Sequence, residues 1–177
     1  YLPAPPVRVG DEDWFYVSVM DGDHLVTRNN PDQDSYYHNR VTKLQIALYT
    51  QPHNRYVSMK APHASPEVLI TKPVVLQGEK LQLNVDASHG EVRVAIASVE
   101  GQLVTLAGDT HVPLYAPHLA KALPGFSFSD CKPIRADSIE QKVEFEKHSS
   151  LKELSGKSVF LLFQVSDADF YGFRMIP

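Results

Sequence analysis

The sequence contains a single cysteine, Cys131, and this scarcity limits its chemistry. One thiol cannot form an internal disulfide, and no second cysteine is present for a CxxC metal or redox motif. A nucleophilic cysteine would need a histidine partner and an electropositive setting, and the residues around Cys131 suggest neither. We therefore predict that Cys131 is a small, buried, apolar residue.

Long apolar runs and basic runs are also missing. The longest apolar runs, such as "VFLLF", fall far short of the roughly 20 residues that a membrane-spanning helix needs. The net charge is −4, and no cluster of lysine and arginine forms the basic stripe that phosphate binding requires. The sequence therefore predicts no membrane segment and argues against nucleic acid as a partner.

Proline and aromatic residues are plentiful. The chain has 13 prolines, 8 tyrosines and 8 phenylalanines against 3 methionines, which favours strands and turns over long helices. We predict an all-β fold, in which a small β-hairpin unit at residues 1–62 precedes an antiparallel, jelly-roll-like β-sandwich at residues 63–177. The boundary falls in the proline-bearing stretch "KAPHASPE", residues 60–67.

Alternation of apolar and polar residues predicts which strand faces are buried. In "LQIALYT", Leu44, Ile46 and Leu48 are expected to point inward. "KLQLNVD" and "EVRVAIASV" flank the short turn "ASHG" and are predicted to pair as a hairpin. "VFLLFQV" is apolar on both faces, as expected for a central strand covered on both sides, and is predicted to form a closing hairpin with the strand after "SDAD".

Several motifs downstream of Glu67 resemble a known family. They are "TKP", "LQLNVDAS", "GFSFSDCKPIRADS", "LSGKSVFLLF" and "DADFYGF". Together, over Glu67 to Met175, they look like the C-terminal β-sandwich that follows a five-bladed β-propeller in bacterial glycosidase-like proteins, which are similar to glycoside hydrolase families 32 and 43. The stretch "PPVRVGDEDWFYVSVMDGDHL", with "VTKLQIALYT" and "RYVSM", is similar to the last propeller blade of those proteins.

The resemblance has consequences for activity and location. It implies that the acidic catalytic residues lie on earlier blades, outside this chain, and that the protein is secreted or periplasmic. The expected function is that of a non-catalytic C-terminal accessory region of a glycoside-hydrolase-like protein, which stabilises that protein and contacts carbohydrate. Its expected partners are carbohydrate or the N-terminal propeller of the same protein.

Two other functions are open from the sequence. The first is a structural or protein-interaction β-sandwich that binds no glycan and uses its exposed edges to bind another chain. The second is a free-standing hydrolase that uses His24 with Asp21 or Asp23.

A carbohydrate site needs flat aromatic surfaces beside planar polar groups, because sugars present apolar C–H faces and many hydroxyls. The N-terminal hairpin and the loop after it supply both. Trp14 and Tyr16 have an alternative role in the core of a blade. The candidate residues are Trp14, Tyr16, His24, Arg28, Tyr36, Tyr37 and His38.

Metal sites are weakly indicated. The eight histidines show no HxH or HExxH spacing, so no zinc site is predicted. Aspartate pairs in "DGD", "DQD" and "DAD" are compatible with a structural calcium ion, but we favour turn capping by these side chains. Around "CKPIRA", we expect Asp130, Asp137, Cys131 and Arg135 to form one buried network in which Arg135 pairs bidentately with a carboxylate.

Overall fold

The computed structural model describes residues 5–20, 44–61, 65–99, 104–106, 110–112 and 121–177. Its regular structure in these ranges is β-strand apart from one 3₁₀ turn, Lys152–Leu154. The strands are β1 (Val7–Val9), β2 (Glu12–Met20), β3 (Leu44–Pro52), β4 (Met59–Ala61), β5 (Glu67–Ile70), β6 (Val74–Val75), β7 (Lys80–Asp86), β8 (Glu91–Ser98), β9 (Val104–Leu106), β10 (Thr110–Val112), β11 (Asp137–Lys142), β12 (Ser158–Ser166) and β13 (Ala168–Ile176). The predicted all-β class is confirmed.

The chain divides into two units, Tyr1–Asn54 and Arg55–Pro177. In the first unit, β1, β2 and β3 form an antiparallel sheet in that order. A tight turn at Gly10, whose φ is +62°, joins β1 to β2. Trp14 on β2 lies opposite Val7 on β1 and Thr50 on β3.

The second unit is a sandwich of two antiparallel sheets. One sheet has the order β11-β7-β13-β4. In the other, β12 pairs along its length with β8 on one side and with β5 and β6 on the other. A separate two-stranded ladder joins β9 to β10.

The core of the sandwich lies between its two sheets. Alternation on β7 buries Leu81, Leu83 and Val85 completely, as predicted. Phe163 of β12 meets Phe170 of β13 across the core, with ring centroids 4.5 Å apart. Aromatic contacts of this kind add to the stabilisation that burial alone provides.

The two-sided apolar pattern of β12 is confirmed. The face toward the main core bears Val159, Leu161, Phe163 and Val165. The other face belongs to a second cluster that contains Phe160 and Leu162, together with Ala95 and Ala97 of β8. β12 therefore has strand partners on both edges and apolar clusters on both faces, as a central strand should.

Both predicted sandwich hairpins are wrong in their pairing. The segments are strands and the turns are short, but β7 pairs with β11 and β13, whereas β8 pairs with β12. Similarly, β12 and β13 belong to different sheets. Each turn is therefore a corner that carries the chain from one sheet to the other. The two strands that it joins lie in opposite sheets, and both bury their apolar faces against the core between those sheets.

The segment before the predicted boundary also needs correction. "RYVSM" was placed above with the blade-like N-terminal stretch, but residues 55–58 form no strand, and Met59 belongs to β4, which pairs with β13 in the second unit. The division between the two units, after residue 54, comes earlier than the predicted domain boundary after residue 62, and that boundary stays a prediction.

In the part of the chain that the structure describes, no helix has the length and apolar character needed to cross a bilayer.

The network expected around "CKPIRA" is divided into separate contacts. Cys131 is buried, as predicted, and its Sγ accepts a hydrogen bond from the Val94 amide at 3.3 Å. Burial raises the pKa of this thiol. However, Asp130 accepts from the Ser127 amide and Asp137 pairs with Arg55, so the two aspartates do not share a network.

Candidate functional site

The three-stranded sheet exposes one apolar face. Residues directly opposite each other in an antiparallel pair point to the same side, so the register places one set of side chains together. This side also carries the polar residues Glu12, Ser18 and Thr50. We call its apolar residues the apolar face; they are Val7, Val9, Trp14, Tyr16, Ile46 and Leu48. Ile46 is 75 % exposed, and Tyr16 and Leu48 are each 45 % exposed. Strand alternation predicted that Ile46 and Leu48 point into a core. This prediction is wrong, because both side chains are exposed.

The opposite face of the same sheet is more mixed. Asp13 is buried there, and Phe15 and Val17 are half-buried, whereas Val19 and Tyr49 are exposed. Both faces thus have exposed apolar residues, and Ile46 is the most exposed residue of the apolar face.

A polar contact fixes the end of this sheet. The Asp13 carboxylate lies 2.7 Å from the His53 Nδ1 and accepts a hydrogen bond from the Asn54 amide at 2.9 Å. Asn54 has a positive φ of 57°, which asparagine tolerates better than most residues. This contact ties the start of β2 to the turn after β3, so the strands bearing the apolar face are held in register at that end.

Two of the predicted carbohydrate-binding residues lie on the apolar face. Trp14 is half-buried and its Nε1 donates a hydrogen bond to Glu12 at 3.0 Å, so its polar group is already engaged. Tyr16 lies on the same side, opposite Leu48. The other five candidates, His24, Arg28, Tyr36, Tyr37 and His38, lie outside the described residues, so their role as a glycan site stays a prediction.

The outer edge of β3 is the second notable feature of this sheet. Among the described strands, β3 pairs only with β2. Its sequence "LQIALYTQP" contains no charged residue. Natural sheets usually protect such an edge with lysine, an inward-pointing charge or a bulge, because an open edge accepts further strands. None of these lies between Leu44 and Thr50.

A polar pocket of about 600 Å³ lies in the second unit, between the β7–β8 corner and the β12–β13 corner. Its polar lining includes Ser88, His89, Glu91, Arg135, Gln164 and Asp167. Sequence reasoning missed this pocket, because it assigned the two corners to separate hairpins. Arg135 was expected to pair with a carboxylate through two nitrogens, and it does so with Glu91, donating to one carboxylate oxygen at 3.2 and 2.8 Å.

The aspartates proposed for turns or calcium have different roles. Asp86, which was not among those aspartates, caps its turn by accepting hydrogen bonds from the hydroxyl and amide of Ser88, and these bonds lower the pKa of Asp86. Asp169 accepts from Ser58 and Lys60. Within the described ranges, no group of three or more histidine, cysteine or acidic side chains is placed to hold a metal ion. The pairs in "DGD" and "DQD" lie outside those ranges.

Comparison of the chain with protein-family models, curated proteins and solved structures found no match.

Proposed function

We propose that this chain is a non-catalytic accessory region of a glycoside-hydrolase-like protein, and that it stabilises that protein by docking the apolar face of its three-stranded sheet onto another β-sheet of the same protein. The class of parent protein comes from the resemblance in the sequence motifs. The docking role is supported by one observation: β3 has the alternation of a strand with a buried face, yet Ile46 on that face is 75 % exposed.

A flat β-sheet is a natural partner for this face. β-Branched and aromatic side chains in a regular array pack well against the similar array of a second sheet about 10 Å away. Val7, Val9 and Ile46 supply the β-branched residues, and Tyr16 supplies an aromatic ring. An exposed apolar patch of this kind normally marks an interaction site. The aliphatic residues outnumber the aromatic ones, which favours protein over sugar as the main occupant.

The polar pocket does not support a hydrolytic role for this chain. A glycosidase needs one carboxylic acid with a raised pKa to protonate the leaving group. Hydrogen bonds from Arg93 and Arg135 instead lower the pKa of Glu91. This carboxyl group is ionised and its two oxygens are occupied by guanidinium groups, so it is unsuited to donate a proton.

The test uses the polypeptide encoded immediately upstream in the same reading frame, expressed separately and mixed with this chain. We expect association that Ile46→Lys weakens about 100-fold, because the substitution places an amine in the centre of an apolar contact. Gln45→Lys is the matched control, since Gln45 is exposed on the opposite face of the same strand. An upstream segment that does not associate, or equal effects of the two variants, would contradict the proposal.

The open edge of β3 favours a second candidate function, in which the chain binds an extended segment by strand addition. Hydrogen exchange separates the two candidates. Strand addition would protect alternate backbone amides along β3, since every second amide points toward the open edge. Face docking covers side chains and not the strand edge, so it would leave those amides exchanging as they do in the free chain.

A further inference from the structure

The polar pocket of the second unit has a rigid floor made by two chain corners in contact. A Cβ atom on Gly90 would lie only 1.9 Å from the carbonyl oxygen of Ser166 and 2.6 Å from that of Asp167. The β7–β8 corner therefore rests directly on the β12–β13 corner, and glycine is the residue that allows it. Because each corner joins the two sheets of the sandwich, the backbone from which the pocket side chains project is fixed by the fold.

One carboxylate in this pocket has no structural role in the described part of the chain. Asp86 caps its turn through Ser88, and Asp169 binds Ser58 and Lys60. Asp167, between β12 and β13, makes no hydrogen bond or ion pair to any described residue, although its φ of +43° is a conformation that glycine would adopt more easily. Aspartate is among the few non-glycine residues that tolerate this φ, so the turn accounts for the residue, but its exposed carboxylate is left without a partner in the described part of the chain.

Other polar groups face the same space. His89 and Gln164 also make no side-chain hydrogen bond to described residues, and both line the pocket with Asp167. Arg135 uses its Nε and one terminal nitrogen on Glu91, while its other terminal nitrogen donates to no described residue. An imidazole, an amide, a carboxylate and one edge of a guanidinium group are therefore available to a ligand.

The charged groups that line this pocket are the carboxylates of Glu91 and Asp167 and the guanidinium of Arg135. The Glu91 carboxylate is already paired with Arg135 and with Arg93, which lies outside the lining. The pocket therefore has no excess positive charge to select phosphate, and among the described residues it holds no group of three side chains placed to ligate a metal ion. It offers donors and acceptors side by side, which suits a ligand whose groups both donate and accept.

We propose that this pocket binds a neutral sugar unit of a glycan, with adjacent hydroxyl groups of the sugar hydrogen-bonded by Asp167, Gln164, His89 and the outer edge of Arg135. Hydroxyls on neighbouring ring carbons match planar carboxylate, amide and guanidinium groups because each hydroxyl is donor and acceptor. The volume of about 600 Å³ is within the usual range for a small-molecule site. The pocket shares no residue with the apolar face, so this inference goes beyond the proposed docking function.

The test is a ¹H–¹⁵N NMR titration of the full 177-residue chain with maltose, cellobiose, lactose and sucrose. Galacturonic acid and inorganic phosphate serve as anionic comparisons. We expect at least one neutral sugar to shift the amides of His89 and Gln164, with a Kd in about the millimolar range. Absence of such shifts with all four sugars would overturn the proposal, as would shifts at these amides with the anions alone.

Variants locate the contact. Asp167→Gly keeps the positive φ and removes the carboxylate, and we expect it to weaken the sugar affinity at least tenfold. Asp167→Asn tests the same group with a residue that also tolerates this φ, which keeps the test decisive if the glycine variant is poorly folded. Glu146→Ala, at an exposed position that does not line the pocket, is expected to bind as the parent chain does. Unchanged affinity in Asp167→Asn and Asp167→Gly would contradict the assignment. These variants leave the apolar face unaltered. A variant that loses sugar binding but still docks therefore separates the sugar site from the docking function.

Discussion

Gly90 lies against the backbone of Ser166, so closely that a side chain at position 90 would overlap the Ser166 carbonyl oxygen. This contact joins two corners that are far apart in the sequence but adjacent in the sandwich. It explains why the turn "ASHG" ends in glycine although the φ of Gly90 is not in the left-handed region.

Gly90→Ala should therefore destabilise the sandwich. The added methyl group must displace backbone rather than a flexible side chain, so we expect a loss of about 3 kcal/mol in the free energy of unfolding. Gly172→Ala is the control, because no atom lies within 4 Å of a Cβ built there. Urea denaturation measures both variants, and equal stabilities would show that the two corners are not in contact.

Phe163 provides a test of the pairing of the two sheets. Phe163→Ala removes a ring that is 2 % exposed and that contacts Phe170 of the other sheet. We expect a loss of about 3 to 5 kcal/mol. Phe173→Ala, at a ring that is 37 % exposed, should cost clearly less. Thermal unfolding of both variants checks this, and similar costs would contradict the position of β12 at the centre of the core.

Acid should reveal the ion pairs of Glu91. Hydrogen bonds from Arg93 and then Arg135 hold the pKa of Glu91 below its ordinary value of 4.5. The unfolded chain therefore binds this proton more readily, so the stabilisation is present above pH 4.5 and is lost as the pH falls through the lower folded pKa. Glu91→Gln should remove about 1 kcal/mol near neutral pH and flatten this part of the acid profile. The urea midpoint of unfolding is measured for both chains across the acid range. If the midpoint of Glu91→Gln falls with pH in parallel with that of the parent chain, the ion pairs of Glu91 do not contribute to the acid sensitivity.

Cys131 should be inert in the folded chain. Its side chain is buried, and burial raises the pKa of the thiol, so little thiolate is formed and reagents have little access. We expect reaction with Ellman's reagent about 100-fold slower than in the urea-unfolded chain, because labelling must await local opening. Comparable rates in the two states would place the thiol at the surface.

Strand positions and buried faces in the second unit could be predicted from the sequence. Alternation on β7 and the two-sided apolar pattern on β12 depend on local side-chain spacing, which the sequence records directly. Strand partners could not be predicted in the same way. A short turn such as "ASHG" is compatible both with a hairpin and with a corner between sheets, and only the long-range pairing of β8 with β12 decides between them.

The candidate sites were harder to predict for a related reason. The polar pocket brings together residues from two corners and from the segment before β11, and no short-range pattern links Asp167 to His89 or Arg135. For the apolar face the strand pattern was correct, but the sequence does not contain the information that Ile46 remains exposed. The exposure of Ile46 depends on the tertiary packing around the sheet, which the spacing of residues along one strand does not determine.

The docking of the apolar face is tested most directly at Trp14, the only tryptophan in the sequence. Labelling this chain with 5-fluorotryptophan gives one ¹⁹F resonance from that face, and the unlabelled upstream polypeptide is then added. Docking predicts that the resonance shifts and loses its sensitivity to exchange of H₂O for D₂O, because the ring becomes shielded from solvent. A resonance that keeps its position and solvent sensitivity while the two polypeptides are bound would contradict docking through this face.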